Sequence, residues 1–327
     1  MKRRIFARCI AGSVALGMGL PGWVSAQTVA KIPRIGVLRW GVPGDENRPG
    51  LTQALATLGY REGQTIHIEW RWATNRELAQ RHAAELLAMN PDLLVASATP
   101  AALVLRDATR SVPIILGSSA DPVGSGLVAS LARPGGNISG VSSNLPASTA
   151  KQLQLLRETL PGLQRVAFLG STQDPATRIF VSELEAAARV QKLKLQLVLI
   201  GGSGEFEAAV DTMLRERAQA VIVQPLFTLG QSGALAELFA RRKLPSASGL
   251  RPFAVAGGLM AYGPSRADAF RRIASFVDRV LKGAAPANLP VEEPTNYELV
   301  FNLATAKALG ITISSAMRLR ADEVIEG

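Results

Sequence analysis

From Ile35 onward, short aliphatic and β-branched runs alternate with stretches whose apolar positions fall three or four apart. Ile35-Gly36-Val37-Leu38 predicts a buried strand, and Pro49 to Leu58 a helix stopped by Gly59. Ile66 to Trp72 has period two, with Ile66, Ile68 and Trp70 on one face and His67 on the other. Glu77 to Met89 places Leu78, Ala79, His82, Leu86 and Met89 at helical spacing before Asn90-Pro91-Asp92 ends the run. Strands over Leu93–Ala96, Val112–Leu116 and Ile138–Val141, with a helix over Pro100–Thr109, complete a first series. The second series has helices over Thr149–Leu160, Ala176–Lys192, Glu205–Glu216 and Ser232–Arg242. Its strands are Arg165–Leu169, Leu195–Ile200 and Ala220–Val223. Strand and helix in regular alternation predict an α/β architecture of parallel sheets with right-handed crossovers. Two series of this kind predict two similar lobes.

The C-terminal part opens no third lobe. Pro264 to Lys282 is one amphipathic helix, with Phe270, Ile273, Ala274, Val277 and Val280 on a single stripe, and Gly283 stops it. An extended stretch from Pro286 to Pro294, a strand over Glu298–Asn302 and a helix over Leu303–Leu309 follow. These pieces are too small to hold a core, so they must complete the two lobes. The chain should therefore cross between the lobes more than twice.

Composition removes several chemistries. Cys9 is the single cysteine, and His67 and His82 are the two histidines. That excludes a disulfide scaffold, a zinc cluster and Cys–His nucleophilic catalysis. Lys2, Arg3, Arg4 and Arg8 precede an apolar run to Leu20, and Val24-Ser25-Ala26 offers a cleavage site before Gln27. We read residues 1–26 as a secretory signal peptide, with Arg3-Arg4 resembling a twin-arginine signal, and expect export to a bacterial periplasm. Its apolar run is too short for a permanent membrane span. Removing the leader's four cations from the formal +10 leaves +6. The remaining Lys and Arg are scattered beside acids, as in Arg76-Glu77 and Arg215-Glu216-Arg217. This describes a solvated surface rather than a nucleic-acid footprint.

In open α/β sheets, ligands sit outside the carboxyl ends of the strands. Two such ends carry chemistry. In Ala96-Ser97-Ala98-Thr99-Pro100, Thr99 can cap the next helix, or its hydroxyl and that of Ser97 can hold an anion. In Gly117-Ser118-Ser119-Ala120-Asp121-Pro122, Asp121 can cap a helix starting at Pro122 or accept a hydrogen bond from a ligand ammonium. Trp40, just past the first strand, can stack on a planar ligand or pack in the core. Gly201-Gly202-Ser203-Gly204 lacks the Gly-Lys-Ser/Thr of a phosphate loop and reads as a turn. No GxSxG elbow occurs, and the Asp45-Glu46 and Glu292-Glu293 pairs sit in loops. Nothing in the chain points to a catalytic group or a cofactor.

Several long strings resemble one family. They are Asp121-Pro122-Val123-Gly124-Ser125-Gly126 continuing to Arg133-Pro134-Gly135-Gly136-Asn137, Ala256-Gly257-Gly258 to Tyr262-Gly263-Pro264, and Glu298 to Gly310. Leu58-Gly59-Tyr60-Arg61-Glu62-Gly63 and the closing Arg320 to Glu326 belong with them. Together they resemble the ABC transporter substrate-binding protein family, which includes the TrpX-like binders of tryptophan and aromatic amino acids. The resemblance spans residues 33–326; Trp40 to Arg48 departs from the TrpX-like pattern, and Ser314 stands in place of a proline.

The resemblance implies a type I periplasmic binding fold of two Rossmann-like lobes, with parallel sheets joined by a three-strand hinge. Lobe 1 would comprise 33–142 plus 264–290, and lobe 2 would comprise 143–263 plus 291–327. Hinges would fall near Ser142-Ser143-Asn144, Tyr262-Gly263-Pro264 and Val291 to Thr295. The cleft would be lined by Trp40, Ser97, Thr99, Ser118, Asp121, Asn144, Gln224, Phe227 and Tyr262. The implied partners are a small polar solute, such as an amino acid, and an inner-membrane permease with its cytoplasmic ATPase. The binding protein itself would act as a monomer. A ligand-sensing module for a membrane receptor is the alternative. A secreted two-lobe enzyme would need a nucleophile or acid–base pair, and the sequence supplies neither.

Overall fold

The computed structural model describes residues 31–43 and 47–326. The leader expected over residues 1–26, with Cys9, lies outside the described residues. The first sheet contains β1 (Arg34–Trp40), β2 (His67–Ala73), β3 (Leu93–Ser97), β4 (Ile114–Ser119) and β5 (Ile138–Ser142) in the order β2-β1-β3-β4-β5. All its pairings are parallel. β1 is buried from Ile35 to Trp40, as befits an inner strand covered on both faces. Between the strands run α1 (Asn47–Ala56), α2 (Arg76–Ala88) and α3 (Thr99–Ala108).

The chain then enters the second lobe through α4 (Leu145–Thr159). There follow β6 (Arg165–Ser171), α5 (Thr177–Gln191), β7 (Lys194–Ile200), α6 (Phe206–Arg215), β8 (Ala220–Val223), α7 (Pro225–Thr228) and α8 (Ser232–Arg241). Next come β9 (Ser246–Ser248), α9 (Arg251–Val255) and β10 (Met260–Pro264). The chain returns to the first lobe as α10 (Arg266–Leu281), whose Ile273, Phe276 and Val277 share a core with Ile35, Val37 and Ile115. It crosses again to β11 (Tyr297–Asn302), α11 (Leu303–Ala308), α12 (Ser315–Arg320) and β12 (Glu323–Ile325).

The second sheet has the order β12-β11-β10-β9-β8-β6-β7 and is parallel except for the antiparallel β10–β11 pair. The lobes are thus less alike than the two sequence series suggest. β9 and β10 add strands that the apolar pattern does not announce; in β9, Ser246-Ala247-Ser248 is short and made of small residues. The expected helix at Pro122 is absent: residues 122–126 turn back on Asp121, whose Oδ1 accepts from the Gly124 N–H at 2.8 Å. α4 starts at Leu145, four residues earlier than its apolar pattern predicts, because Pro146 suits a first helical turn.

The three crossings lie side by side. Ser142 N–H donates to the Glu292 carbonyl at 2.8 Å, and Ser265 N–H donates to the Asn296 carbonyl at 2.9 Å. Gly263 runs close to the backbone of Gly249: a Cβ there would stand 2.0 Å from the Gly249 carbonyl oxygen. Backbone cannot step aside as a side chain can. Gly263→Ala is therefore expected to destabilise the chain by about 1–3 kcal/mol. Thermal denaturation followed by circular dichroism checks this, and an unchanged melting temperature would contradict the close approach.

Candidate ligand-binding site

The carboxyl ends of β1, β3, β4 and β5 in the first lobe face those of β6 and β8 in the second across a cavity of about 120 Å³. One water needs only roughly 10–15 Å³ of such space, so the cavity has room for a small solute. On the first-lobe side, the ladder slips a residue at the end of β3: Ala96 pairs with Leu116, but Ser97 pairs with Ser118. A bulge of this kind re-aims side chains. Here it leaves Gly117 and Ser118 at the cavity beside Ser97. Thr99 is buried at the same wall, where its hydroxyl accepts from Ala120 N–H at 3.1 Å and lies 3.3 Å from the Ser119 hydroxyl. It is the first residue of α3 and not its cap; Ala98, with φ 73°, occupies the cap position. Arg39, the buried penultimate residue of β1, also faces the cavity.

On the second-lobe side stands Asp174, in the loop between β6 and α5 and only 7 % exposed. Its Oδ1 accepts from Ala176 N–H at 3.0 Å, and its Oδ2 accepts from Gln224 Nε2 at 2.8 Å. Burial pushes the Asp174 carboxyl up to about 6, against the opposing pull of these two hydrogen bonds. Gln224, at the end of β8, accepts in turn at Oε1 from Ser171 N–H (2.7 Å) and the Thr177 hydroxyl (3.0 Å). Apolar walls come from Val37, Leu51, Phe270 and Ile273 on one lobe and Leu226 and Leu229 on the other. The lobes also touch. Arg178 on α5 donates to the Gly124 carbonyl at 2.8 Å, and Gly41 and Val42 lie against Leu229 and Gly230.

Four of the nine expected residues line the cavity: Ser97, Thr99, Ser118 and Gln224. The other five stand elsewhere. Alternate residues of a strand point to opposite faces, so Arg39 shares the cavity face with Val37 while Trp40 turns into the core with Leu38 and Ala73. Asp121 is engaged in its own turn. Asn144 holds a left-handed conformation (φ 45°) at the first crossing, ahead of α4. Phe227 points into the second-lobe core, edge-on to Phe206 with ring centroids 5.4 Å apart. Tyr262 stacks on Tyr297 at 5.8 Å, where the second and third crossings run together. Sequence reasoning passed over Asp174 and Arg39. Asp174 did carry a signal: Asp174-Pro175 follows β6 much as Asp121-Pro122 follows β4.

Two Rossmann-like lobes, three adjacent crossings and an interlobe cavity at the strand ends define the type I periplasmic binding fold. The family model for the ABC transporter substrate binding protein matches residues 43–325, and the chain belongs to this family. It is similar to the tyrosine-binding protein of Clostridioides difficile (strain R20291), with 26% identity over 277 residues, covering 84% of this chain and 80% of that protein. Among solved structures, it resembles an ABC domain in complex with L-Trp from Streptococcus pneumoniae. The identity is 28% and the TM-score 0.81, with 90% of this chain and 99% of that one covered. A conserved domain protein from Vibrio cholerae superposes with a TM-score of 0.83 at 25% identity, over 90% of this chain and 100% of that one.

Proposed function

We propose that this protein captures an amino acid or a similar small zwitterion between its lobes and delivers it to a membrane permease. One observation carries the reading: hydroxyl-bearing strand ends of the first lobe and a buried carboxylate of the second line the same cavity. Ser97, Thr99 and Ser118 suit a ligand carboxylate; Asp174 suits its ammonium. The relatives described as binding tyrosine and L-Trp support this class of solute. The leader expected over residues 1–26 supports action in the periplasm, with the closed form read by an inner-membrane permease whose cytoplasmic ATPase supplies the energy.

Capture works by closure. The ligand must bind the closed form better than the open one, and that difference drives the lobes together. Useful uptake needs an affinity near micromolar, about −8 kcal/mol. The test is a thermal-shift and calorimetric screen against the standard L-amino acids, sugars and carboxylates, with X-ray scattering of each hit. At least one amino acid is expected to raise the melting temperature and reduce the radius of gyration. At a hundredfold excess over Kd the stabilisation is about 2.7 kcal/mol. Binding confined to sugars or to amine-free carboxylates would reject the reading.

A further inference from the structure

We propose that Gln224 is the positioning residue that aims the Asp174 carboxylate into the cavity, so that the pair selects ligands carrying a charged amine. This rests on the amino-acid reading above and deepens it.

The geometry leaves Gln224 one orientation. Its side chain is buried, and its Oε1 meets the Ser171 N–H at 2.7 Å. An amide flip would set its NH2 against that N–H, so Oε1 must stay where it is. The Thr177 hydroxyl lies 3.0 Å from the same oxygen, its single proton shared between that oxygen and the nearer Ser171 carbonyl at 2.6 Å. Nε2 is thereby directed at Asp174 Oδ2, 2.8 Å away, and it can only donate. Asp174 Oδ1 is held by Ala176 N–H. A carboxylate has about four acceptor positions, and these two donors use two. Both residues line the cavity, where the others are available to a ligand.

The whole arrangement belongs to the second lobe, being built from the ends of β6 and β8 and the start of α5. It does not depend on closure. The partners within it, Ser171, Thr177 and Gln224, are uncharged. The charged groups that share the cavity, Arg39, Arg266, Asp268 and Arg272, come from β1 and α10 of the opposite lobe. Arg178, next along α5, is turned to the Gly124 carbonyl. Within its own lobe, the donors that hold Asp174 ionised against burial are therefore Gln224 and Ala176. Without Gln224, more of the carboxyl is protonated at neutral pH, and a protonated oxygen no longer accepts from an ammonium.

The test needs two variants of the full chain and two measurements. Carbon-13 NMR of the unliganded protein follows the Asp174 carboxyl through pH. In Gln224→Met, the midpoint is expected to rise by about one pH unit from its wild-type position, the scale of one lost hydrogen bond to a charged group. Gln224→Glu keeps the shape and should raise the midpoint further, because its second oxygen must share a proton with Asp174. Calorimetry at neutral pH then compares L-tryptophan with indolepropionate, which lacks the amine. Both variants should weaken L-tryptophan about tenfold and leave indolepropionate unchanged. A midpoint unmoved in both variants overturns the inference, as does equal weakening of the two probes, which is what a merely structural role would produce. The two failures separate cleanly. Wild-type protein that binds indolepropionate as tightly as L-tryptophan rejects the amino-acid reading, and an Asp174→Asn variant that keeps its preference for the amine rejects Asp174 as the amine's partner. Loss of that preference in Asp174→Asn but not in either Gln224 variant rejects only the positioning role. If neither probe binds, the NMR midpoint decides.

Discussion

Asp174→Asn is expected to weaken amino-acid binding about a hundredfold or more while making the unliganded protein more stable at neutral pH. The loss follows from removing one partner of a buried, hydrogen-bonded charge pair, which costs roughly 2–5 kcal/mol. The gain follows from burial. The Asp174 carboxyl stands at about 6 in the folded protein, against 3.8 for the free group. The folded chain therefore holds this proton more tightly than the unfolded chain. Above pH 6 the ionised group costs about 3 kcal/mol, and the cost disappears as the pH falls from 6 toward 4. Asparagine carries no charge to desolvate. It can satisfy only one of the two donors, Ala176 N–H and Gln224 Nε2, so about 1 kcal/mol is lost again. A net gain of about 1–2 kcal/mol remains. Calorimetric melting without ligand and titration with the best amino acid from the screen measure the two effects. Retained affinity, or a melting temperature below that of the wild type at pH 7.5, would show that Asp174 does not work as described.

Gly230→Val is expected to hold the lobes apart. Gly230 adopts φ +78°, and a Cβ there would stand 2.8 Å from Val42 Cγ2 and 3.2 Å and 3.3 Å from the Val42 backbone nitrogen and oxygen. Val42 follows β1 of the first lobe and Gly230 follows α7 of the second, so the clash arises where the lobes meet. A β-branched residue at positive φ is strained in either state. The overpacking against Val42 burdens the closed state alone, by about 1–3 kcal/mol. Ligand affinity should fall by the corresponding 5- to 150-fold. With saturating amino acid, X-ray scattering should show the wild type contracting and the variant remaining expanded, with Gly230→Ala between them. Wild-type affinity and contraction in Gly230→Val would mean that this contact takes no part in closure.

Much of the fold was legible in the chain. The strands of the first lobe carry short apolar runs or, in β2, period-two spacing over five to seven residues, the long helices carry helical spacing over thirteen to sixteen, and the structure places them within a few residues of where that pattern ends. Ser97 and Ser118 were legible too, because the carboxyl ends of parallel strands are where such folds bind. β9 was not legible: its three small residues bury no side chain large enough to make a pattern. Trp40 was a candidate to stack on a planar ligand because it lies just past the first strand, and Phe227 was implied by the family resemblance. Their faces were set by strand parity and by the short α7, and both turned inward. Asn144 and Tyr262 stand at the crossings, where their neighbours come from segments remote in sequence.

The sequence by itself determined most of the elements and their α/β order, because apolar periodicity is a local property that each segment carries alone, and the small size of the C-terminal segments required them to complete the two lobes. Only the tertiary structure decided which side chains face the cavity. Arg39 rather than Trp40 reaches it through the alternation of β1. Ser118 reaches it through a slip in the β3–β4 ladder. Asp174 is buried just past the end of β6 and bonded by Gln224, fifty residues away in the chain. Hydrogen bonding and desolvation of that kind depend on which strand ends are brought together, and no single segment holds that information.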